Sequence, residues 1–430
     1  MSYRRKKQKG RQEKITANLP VVEVVHTLEG EDCTCEWCHA PLRRIGQKVI
    51  HEVVVFQLVK LYKEVTLADA YECPQCKADG ADVIMQAPVP KLPFRHSLAS
   101  PSLLAQVFYE KFGLSLPLYR QEKNWQSLGL DIPRRTLTNW VIKASELYLE
   151  PLWELMKKKR LQEERLHADE TPYNVLSSDK RKTYIGLFRT LESCPTPIIL
   201  YQHAMTRSGQ VAKDFLKDFQ GYLHTDAYSG YPNSVDVESV LCWAHARRYF
   251  VAAQPTSGEH SIARQGIADC DALFKIERQM QKEGLTPEAI YQERLEKSKS
   301  IMEKLFHWLE SLPVLKGSKL GQAKEYLLNQ KEGVMTVLKD GRCALSNKLA
   351  ERSIRPTTIG RKNFLFSVSE AGAKANAMAY SIIETAKANG LNPRKYLNYI
   401  FEQLPNMPEI KSLALEDYLP WAKEVQAQCK

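Results

Sequence analysis

The chain lacks a hydrophobic run long enough to cross a membrane. The run that begins at Val53 reads VVVF, far short of the ~18 consecutive apolar residues of a membrane span. The first residues, MSYRRKKQKGRQEK, are basic and lack the apolar centre of a signal peptide. We therefore expect a cytoplasmic protein with no membrane partner, in which thiols stay reduced.

Acidic residues are fewer than basic ones. The chain has 61 Lys and Arg against 50 Asp and Glu, so its net charge is +11 and its isoelectric point is about 9.0. An excess of positive charge favours the binding of polyanions, above all nucleic acid. Such an excess is expected of a nucleoid-associated protein. Charge alone does not separate a DNA-binding protein from a soluble basic one.

Cysteine is scarce outside one region, because half of the ten cysteines fall between positions 33 and 76. There CEWC and CPQC form two C-x-x-C turns, and two such turns complete a tetrahedral Zn²⁺ shell. Four protein ligands leave no open position for a substrate, so the sequence predicts a structural zinc ribbon. The predicted ligands are Cys35, Cys38, Cys73 and Cys76, with Cys33 and His39 as spare candidates.

A helical pattern follows the cysteine-rich region. Ser100 and Pro101 are typical of a helix start, and NWQSLGLDIPRRTLTNWVIKA is similar to a helix-turn-helix with its turn at Gly129. Arg134 and Arg135 would open the second helix, where such side chains reach phosphates and base edges. An ordinary helical pair with solvated arginines remains an equal alternative.

The hydrophobic period changes to that of strands after Arg165. RLHADETPYNVL, KTYIGLFRT and TPIILYQH are predicted as successive strands. A helix capped by Ser208 then precedes two more strands, in GYLHTDAYSGY and in ESVLCWAHARRYF. This order predicts an α/β fold with a ribonuclease-H-like mixed sheet.

The first of these strands carries adjacent acids. Side chains alternate along a strand, so His167, Asp169 and Thr171 share one face and Glu170 points to the other. Pro172 is predicted to interrupt the ladder, as at a strand end or bulge.

A second acid, Asp226, ends the fourth predicted strand. If the first and fourth strands are neighbours, Asp169 and Asp226 meet at the sheet edge. Two close carboxylates repel each other unless a cation lies between them, and hard oxygen ligands suit Mg²⁺.

A third acid is expected later in the chain. LSNKLAERSIRPTTIGRKNFLF places Glu351 in a helix predicted to open near Ser346 or Asn347 and to stop before Pro356. An acid within a basic cluster suits a site for metal and phosphodiester, but spacing leaves Glu370 and Glu384 as rivals. The basic neighbours, predicted to contact DNA phosphates, are Lys348, Arg352, Arg355, Arg361 and Lys362.

Several motifs in fixed order resemble the DDE transposases of the insertion-sequence-66 family, from about Leu19 to Leu404. They are LPLYRQEKNWQSLGL, LHADETPYNV, HTDAYSGY, CWAHARRYF, SNKLAERSIRPTTIGRKNFLF and SIIETAKANGLNPRKYL. The resemblance implies Asp169, Asp226 and Glu351 as a catalytic triad that holds Mg²⁺ or Mn²⁺. It further implies cleavage of DNA at insertion-element ends and transfer of the freed 3′-hydroxyl to target DNA.

The resemblance also names partners and supporting residues. Terminal repeats, target DNA and companion transposition proteins are expected partners, bound by a homo-oligomer on DNA. His167, Glu170 and His245 are expected to support the triad. The C-x-x-H of Cys242 and His245 either positions a nucleotide or forms an ordinary core contact.

The chain departs from the family pattern at two places. Only a short basic arm precedes the zinc region, where a longer leucine-zipper-like helix is usual. The usual Asn-Asn before the third acid reads Asn347-Lys348, and Lys348 would either hold a phosphate or weaken the site.

The predicted organisation leaves two rival functions. One is a metal-dependent nuclease of the same fold, and the other is a zinc-containing DNA-binding protein with a lapsed triad. The predicted segments are a basic disordered arm (1–18), the zinc-binding module (19–92), the helical DNA-binding segment (93–160), a catalytic domain (161–250 and 341–366), a helical insertion (251–340) and C-terminal helices (367–430).

Overall fold

The computed structural model describes residues 61, 66, 70–72, 84–86 and 89–430, apart from 181, 229, 232–236, 256–260 and 409–413. The basic arm and the four predicted zinc ligands lie outside these residues. From 66 onward the described residues belong to one compact unit, Val65–Lys430. Among its helices, none that the structure describes has the length and apolar character needed to span a bilayer.

Two short antiparallel strands come first, β1 (Ala70–Glu72) and β2 (Ile84–Gln86). The main sheet has five strands in the order β5-β4-β3-β6-β7. Strands β3, β4 and β5 pair antiparallel, whereas β3, β6 and β7 pair parallel. The predicted mixed sheet is thus confirmed, as is the pairing of the first and fourth predicted strands. The five strands are β3 (Arg165–Tyr173), β4 (Thr183–Thr190), β5 (Ile199–Ala204), β6 (Tyr222–Thr225) and β7 (Glu238–Leu241).

The ladder between β3 and β4 continues through Pro172, which pairs with Tyr184. The prediction that Pro172 interrupts it was therefore wrong. Strand β6 pairs with β3 only at residues 165–167, so β3 has a strand neighbour on one side alone at Pro172. A missing backbone N–H on the open side costs no ladder bond, as at an edge strand.

Helices surround the sheet, and some continue from π-helical turns at Tyr109–Gly113, Ser145–Leu149 and Arg294–Ser298. In chain order the α-helices are α1 (Pro101–Phe108), α2 (Leu118–Ser127), α3 (Arg134–Ala144), α4 (Glu150–Arg160), α5 (Gly209–Phe215), α6 (Trp243–Ala252), α7 (Ala263–Glu283), α8 (Pro287–Glu293), α9 (Lys299–Ser311), α10 (Lys319–Asn329), α11 (Lys331–Met335), α12 (Lys348–Phe364), α13 (Glu370–Ala388), α14 (Pro393–Gln403) and α15 (Lys423–Gln428). The 3₁₀ turns are Thr336–Leu338, Leu404–Asn406 and Ala414–Tyr418.

Of the two predicted serine caps, that of Ser100 makes its capping hydrogen bond and that of Ser208 does not. The Ser100 hydroxyl accepts a hydrogen bond from Leu103 N–H at 3.2 Å, as a capping side chain does. Ser208 stands at the cap position of α5, but its side chain accepts no capping hydrogen bond and instead receives one from the Thr206 hydroxyl at 3.1 Å.

Helix α12 runs on through Pro356 to Phe364, so the predicted stop before Pro356 was wrong. A proline in a helix removes one N–H bond to the carbonyl four residues back. Here that carbonyl belongs to Arg352, which is an exposed residue. Buried Ile354, Thr357 and Gly360 hold the helix against its neighbours on both sides of the proline.

Two hydrophobic cores lie within the described residues. The larger one contains residues of the main sheet and of helices that precede and follow the sheet in sequence. Phe108 of α1 and Phe401 of α14, for example, are in contact there, with ring centroids 5.2 Å apart. The smaller one is built around Trp243, Phe250 and Phe306 and contains the helices between β7 and residue 345. The helical segment that was predicted as an insertion (251–340) thus packs in this second core together with β7 and α6.

Candidate active site

The register of two parallel strands aligns the first two acids. Strands β3 and β6 pair His167 with His224, and the two rings stack with centroids 4.2 Å apart. Asp169 and Asp226 each lie two residues further along, just where β6 ends. Because side chains alternate along strands, Asp169 lies on the face of β3 that carries His167, and Asp226 is close enough for its charge to raise the pKa of Asp169.

Helix α12 lies across that same face of β3. Asn347, just before the helix, bonds to His167 at 2.8 Å, and Arg361 near its end donates to the Thr171 hydroxyl at 2.7 Å. Asp169 lies between these two contacts on the strand. Glu351, in the first turn of α12, therefore stands on the helix that covers Asp169.

The surroundings of Asp169 disfavour its charged form. The pKa of Asp169 is raised to about 7, chiefly by burial and in addition by the negative charges of Glu170, Asp226 and Glu351, against one hydrogen bond that lowers it. That bond comes from Glu170 N–H to Asp169 Oδ1 at 2.8 Å. An additional positive charge here would favour ionised Asp169.

Asn347 fastens the loop before Glu351 to the strand that carries Asp169. Its Nδ2 donates to Ala168 O at 2.8 Å, so its Oδ1 accepts from His167 Nδ1. Burial lowers the pKa of His167 well below its usual range, and the neighbouring His224 adds to this. His167 is therefore neutral and serves as a hydrogen-bond donor, a supporting contact that strand alternation alone did not reveal.

His224 extends this buried arrangement toward the same loop. Its Nε2 accepts from Ala344 N–H at 2.9 Å, so its Nδ1 donates to Leu166 O at 3.0 Å. Burial lowers the pKa of His224 to about 4. Nothing in the sequence pattern singled out His224, although its spacing from Asp226 matches that of His167 from Asp169.

Glu170 lies on the opposite face, as alternation predicted. Arg207 binds its carboxylate through Nε at 2.6 Å and through a second guanidinium nitrogen, and the Tyr231 hydroxyl donates to it at 2.6 Å. Arg207 also covers the ring of Tyr228, 3.7 Å from its centroid. The contact of Glu170 with Asp169 is through its backbone, so its predicted support of the triad would be indirect.

The C-x-x-H pair adjoins the third acid. A ring nitrogen of His245, Nε2, lies 3.7 Å from Glu351 Oε1, and Arg248 Nη2 lies 3.8 Å from the same oxygen. Cys242 is buried, and its Sγ accepts a hydrogen bond from Asn347 N–H at 3.1 Å. The two motifs around Cys242 and Glu351, distant in sequence, thus meet at one place.

The basic residues of α12 divide into two groups. Lys348, Arg355 and Lys362 are exposed, and Arg352 is exposed with an ion pair to Glu192 at 3.3 Å. Arg361 instead bonds to β3, as described above, so part of its guanidinium is already engaged within the protein. The predicted phosphate contacts remain predictions for all five residues.

The rival acids Glu370 and Glu384 belong to α13, which packs on β5 at the edge of the sheet away from β6. Glu370 pairs with Lys374 at 3.2 Å, and Glu384 pairs with Lys387 at 2.8 Å. Neither contributes to the raised pKa of Asp169, whereas Glu351 does.

The helical pair α2 and α3 has a turn at Gly129, whose φ is 85°. Such a backbone conformation favours glycine. Arg134 and Arg135 are exposed in the first turn of α3, where Glu122 Oε1 accepts from Arg134 N–H at 2.6 Å. Helix-turn-helix and ordinary helical pair both fit this geometry, and DNA contact by these arginines stays a prediction.

The fold is a mixed α/β sheet in which Asp169 lies within β3, Asp226 follows the end of the adjacent parallel strand β6, and Glu351 stands on a basic helix beside them. The chain belongs to the IS66 transposase family: the model described as "Transposase IS66 family" matches residues 96–375. A second model, "IS66 C-terminal element", matches residues 381–421. The resemblance drawn from the motifs is thus confirmed.

Curated relatives come from Sinorhizobium fredii (strain NBRC 101917 / NGR234). "Uncharacterized protein y4hP" is 29% identical over 415 residues, which cover 90% of this chain and 73% of that protein. "Uncharacterized protein y4jD" is 27% identical over 422 residues, which cover 94% of this chain and 80% of that protein. Their names assign no activity, so the chemistry must be argued from the site.

Proposed function

We propose that this chain is a DDE transposase with a ribonuclease-H-like catalytic domain. It would cleave DNA at the ends of an insertion sequence and transfer the freed 3′-hydroxyl to target DNA. The observation that carries the proposal is the parallel register of β3 and β6, which pairs His167 with His224, two residues before Asp169 and Asp226, beside the helix of Glu351. Membership of the IS66 family supports the same chemistry.

The donor set fits magnesium. Three carboxylates offer hard oxygen ligands, and the raised pKa of Asp169 includes a repulsion that a cation would relieve. Asp169, Asp226 and Glu351 would hold Mg²⁺ or Mn²⁺, which when bound stabilises the attacking and leaving oxygens of a phosphodiester.

The rest of the chain would position DNA around these acids. Asn347 and His167 would keep Glu351 close to Asp169, while Lys348, Arg352, Arg355 and Lys362 would neutralise flanking phosphates from the exposed side of α12. The two C-x-x-C turns would hold Zn²⁺ in a module that, with α2 and α3, recognises the terminal repeats. The protein would act in the cytoplasm at the nucleoid, as a homo-oligomer on DNA with companion proteins.

Strand transfer tests the proposal directly. A labelled, pre-cut insertion-sequence end would be mixed with plasmid, Mg²⁺ and the purified chain, with companion proteins added. We expect joined product from the parent chain and at least a ~100-fold loss in Asp226→Asn, because one amide replaces a charged ligand. Asp179→Asn, at an exposed position between β3 and β4, is the matched control and should retain activity.

Each rival function has its own outcome. Cleavage without joining would identify a metal-dependent nuclease. Binding of the terminal DNA with neither reaction, equal in the presence and absence of Mg²⁺, would identify a DNA-binding protein with a lapsed triad. Restoring asparagine by Lys348→Asn would then test whether Lys348 weakens the site.

A further inference from the structure

Three atoms of metal-binding type converge on the side of Glu351 that faces α6. One ligand atom each from Cys242, His245 and Glu351 lies within 4.8 Å of the other two. In a tetrahedral zinc shell with bonds of ~2.0–2.3 Å, ligand atoms are separated by roughly 3.3–3.8 Å. The 3.7 Å between His245 Nε2 and Glu351 Oε1 lies within this range, and a contraction of the cluster from its 4.8 Å limit would complete the three-ligand set.

Two of the polar groups in this cluster have unused capacity. Among the described residues, Glu351 Oε1 and His245 Nδ1 are buried atoms without a hydrogen-bond partner. Buried polar atoms are normally satisfied, and an unsatisfied one has a cost of about 1–3 kcal/mol. A cation bound by Glu351 Oε1 would remove this cost at that oxygen.

The buried thiol is prepared for the same role. Asn347 N–H already donates to Cys242 Sγ at 3.1 Å, a contact that stabilises a metal-bound thiolate as well as a thiol. The neutral ring of a histidine offers one nitrogen lone pair to a metal ion, and His245 Nε2 is the ring atom beside Glu351. The Arg248 side chain is 64% exposed and is free to move toward solvent.

The chemistry of the donors selects the metal. One sulfur, one nitrogen and one oxygen suit Zn²⁺ or Co²⁺, whereas Mg²⁺ prefers oxygen ligands alone. We propose that Cys242, His245 and Glu351 form a zinc-class metal site, separate from the two C-x-x-C turns and overlapping the magnesium site of the three carboxylates at Glu351 alone.

The proposed site has a regulatory consequence that rests on the proposed function. Glu351 belongs to both donor sets, and a carboxylate bound to zinc beside Cys242 is withdrawn from Asp169 and Asp226. Zinc at this position would therefore inhibit Mg²⁺-dependent strand transfer, and removal of the sulfur ligand would weaken that inhibition.

Metal content tests the site without any DNA. The full chain would be equilibrated with Zn²⁺, freed of excess ion and analysed by mass spectrometry of the metal, beside Cys242→Ser and His245→Gln. Cys343→Ser is the matched control, because Cys343 is also buried but lies outside the cluster. All four proteins keep the N-terminal cysteines, so any zinc held there cancels.

We expect Cys242→Ser and His245→Gln each to bind one equivalent fewer than the control. With Co²⁺ in place of Zn²⁺, Cys242→Ser should also lose the near-ultraviolet absorption of one thiolate–cobalt bond. Equal metal content and equal absorption in all four proteins would overturn the proposal. His245→Gln changes a partly exposed side chain, so it decides the question if circular dichroism shows that Cys242→Ser does not fold.

Strand transfer in the presence of Zn²⁺ tests the consequence separately. About ten times as much Zn²⁺, or more, should be needed for half-inhibition of Cys242→Ser as of Cys343→Ser, because one of three ligands is lost. Equal sensitivity would exclude inhibition through this site. Loss of one metal equivalent in a chain that shows no strand transfer would leave the zinc site standing and count against the transposase alone.

Discussion

Asn347 connects both halves of the candidate site through one buried side chain, 2% exposed. Its amide bonds to His167 and to Ala168 O, while its backbone N–H reaches Cys242. The motif resemblance drew attention to the residue after it, Lys348, and treated Asn347 as a helix start. Contacts between positions about 180 apart in sequence depend on tertiary packing, so the sequence predicted the acids but not the residue that aligns them.

Replacing this amide should therefore destabilise the fold. In Asn347→Ala, His167 Nδ1 and Ala168 O lose their partners, and two unsatisfied buried groups cost about 2–4 kcal/mol together. Urea unfolding would measure the loss. Asn363→Ala is the control, because exposed Asn363 donates only to Ser115 O and should cost less than about 1 kcal/mol; equal losses would contradict the special role of Asn347.

Asp340 supplies a second residue-scale prediction, on acid stability. Burial alone would raise the pKa of Asp340, but hydrogen bonds from Arg342 and Arg165 outweigh it and lower the pKa to about 2. Because the folded pKa lies below the unfolded value of about 4, this carboxylate adds stability that is fully present above about pH 4 and disappears as the pH falls toward about 2.

The variant Asp340→Asn should reveal this dependence. At about pH 7 we expect it to unfold more easily than the parent by about 1–2 kcal/mol, after allowance for solvent screening. The difference should shrink between about pH 5 and pH 2, as measured by urea unfolding at each pH. Asp179→Asn, at an exposed position, should follow the parent throughout, and a constant difference for Asp340→Asn would rule out the titration.

At the scale of elements, local pattern predicted the strands better than the helix of the third acid. Alternation and turn residues located all five strands of the main sheet, because each strand needs one buried face. The end of α12 was misplaced because Pro356 is a local signal, whereas the packing of Ile354 and Gly360 on either side of it is not. Tertiary contacts outweigh the cost of one proline, ~3 kcal/mol relative to alanine.

Replacing Pro356 should therefore stabilise the protein. Pro356→Ala restores an N–H that can bond to the carbonyl of Arg352, so we expect a gain of about 1–3 kcal/mol in the free energy of unfolding. Pro287→Ala is the control, since Pro287 opens α8, where proline is favourable, and it should be neutral or slightly destabilising. A loss of stability in Pro356→Ala would mean that α12 does not run through this position.

At the scale of the whole molecule, the C-terminal helices pack against the main sheet, and one of them forms hydrogen bonds with its edge strand. Strand β5 is an edge strand, and exposed edges invite pairing with other chains. Helix α13 covers this edge: the Ser381 hydroxyl accepts from Tyr201 N–H at 2.8 Å, and the Thr385 hydroxyl accepts from Ile199 N–H at 3.0 Å. The C-terminal helices of 367–430 contribute residues to the main core.

Removing both hydroxyls should therefore lower the stability of the fold. In Ser381→Ala combined with Thr385→Val, two buried N–H groups of β5 lose their acceptors, at a cost of about 2–4 kcal/mol. We expect a lower urea midpoint and, on warming, faster growth of light scattering as freed edges pair between molecules. Thr358→Val is the control, because its hydroxyl bonds only to Arg355 O within α12. If the double variant matched that control in both measurements, the two hydrogen bonds from β5 to α13 would not contribute to stability or protect the edge strand from pairing.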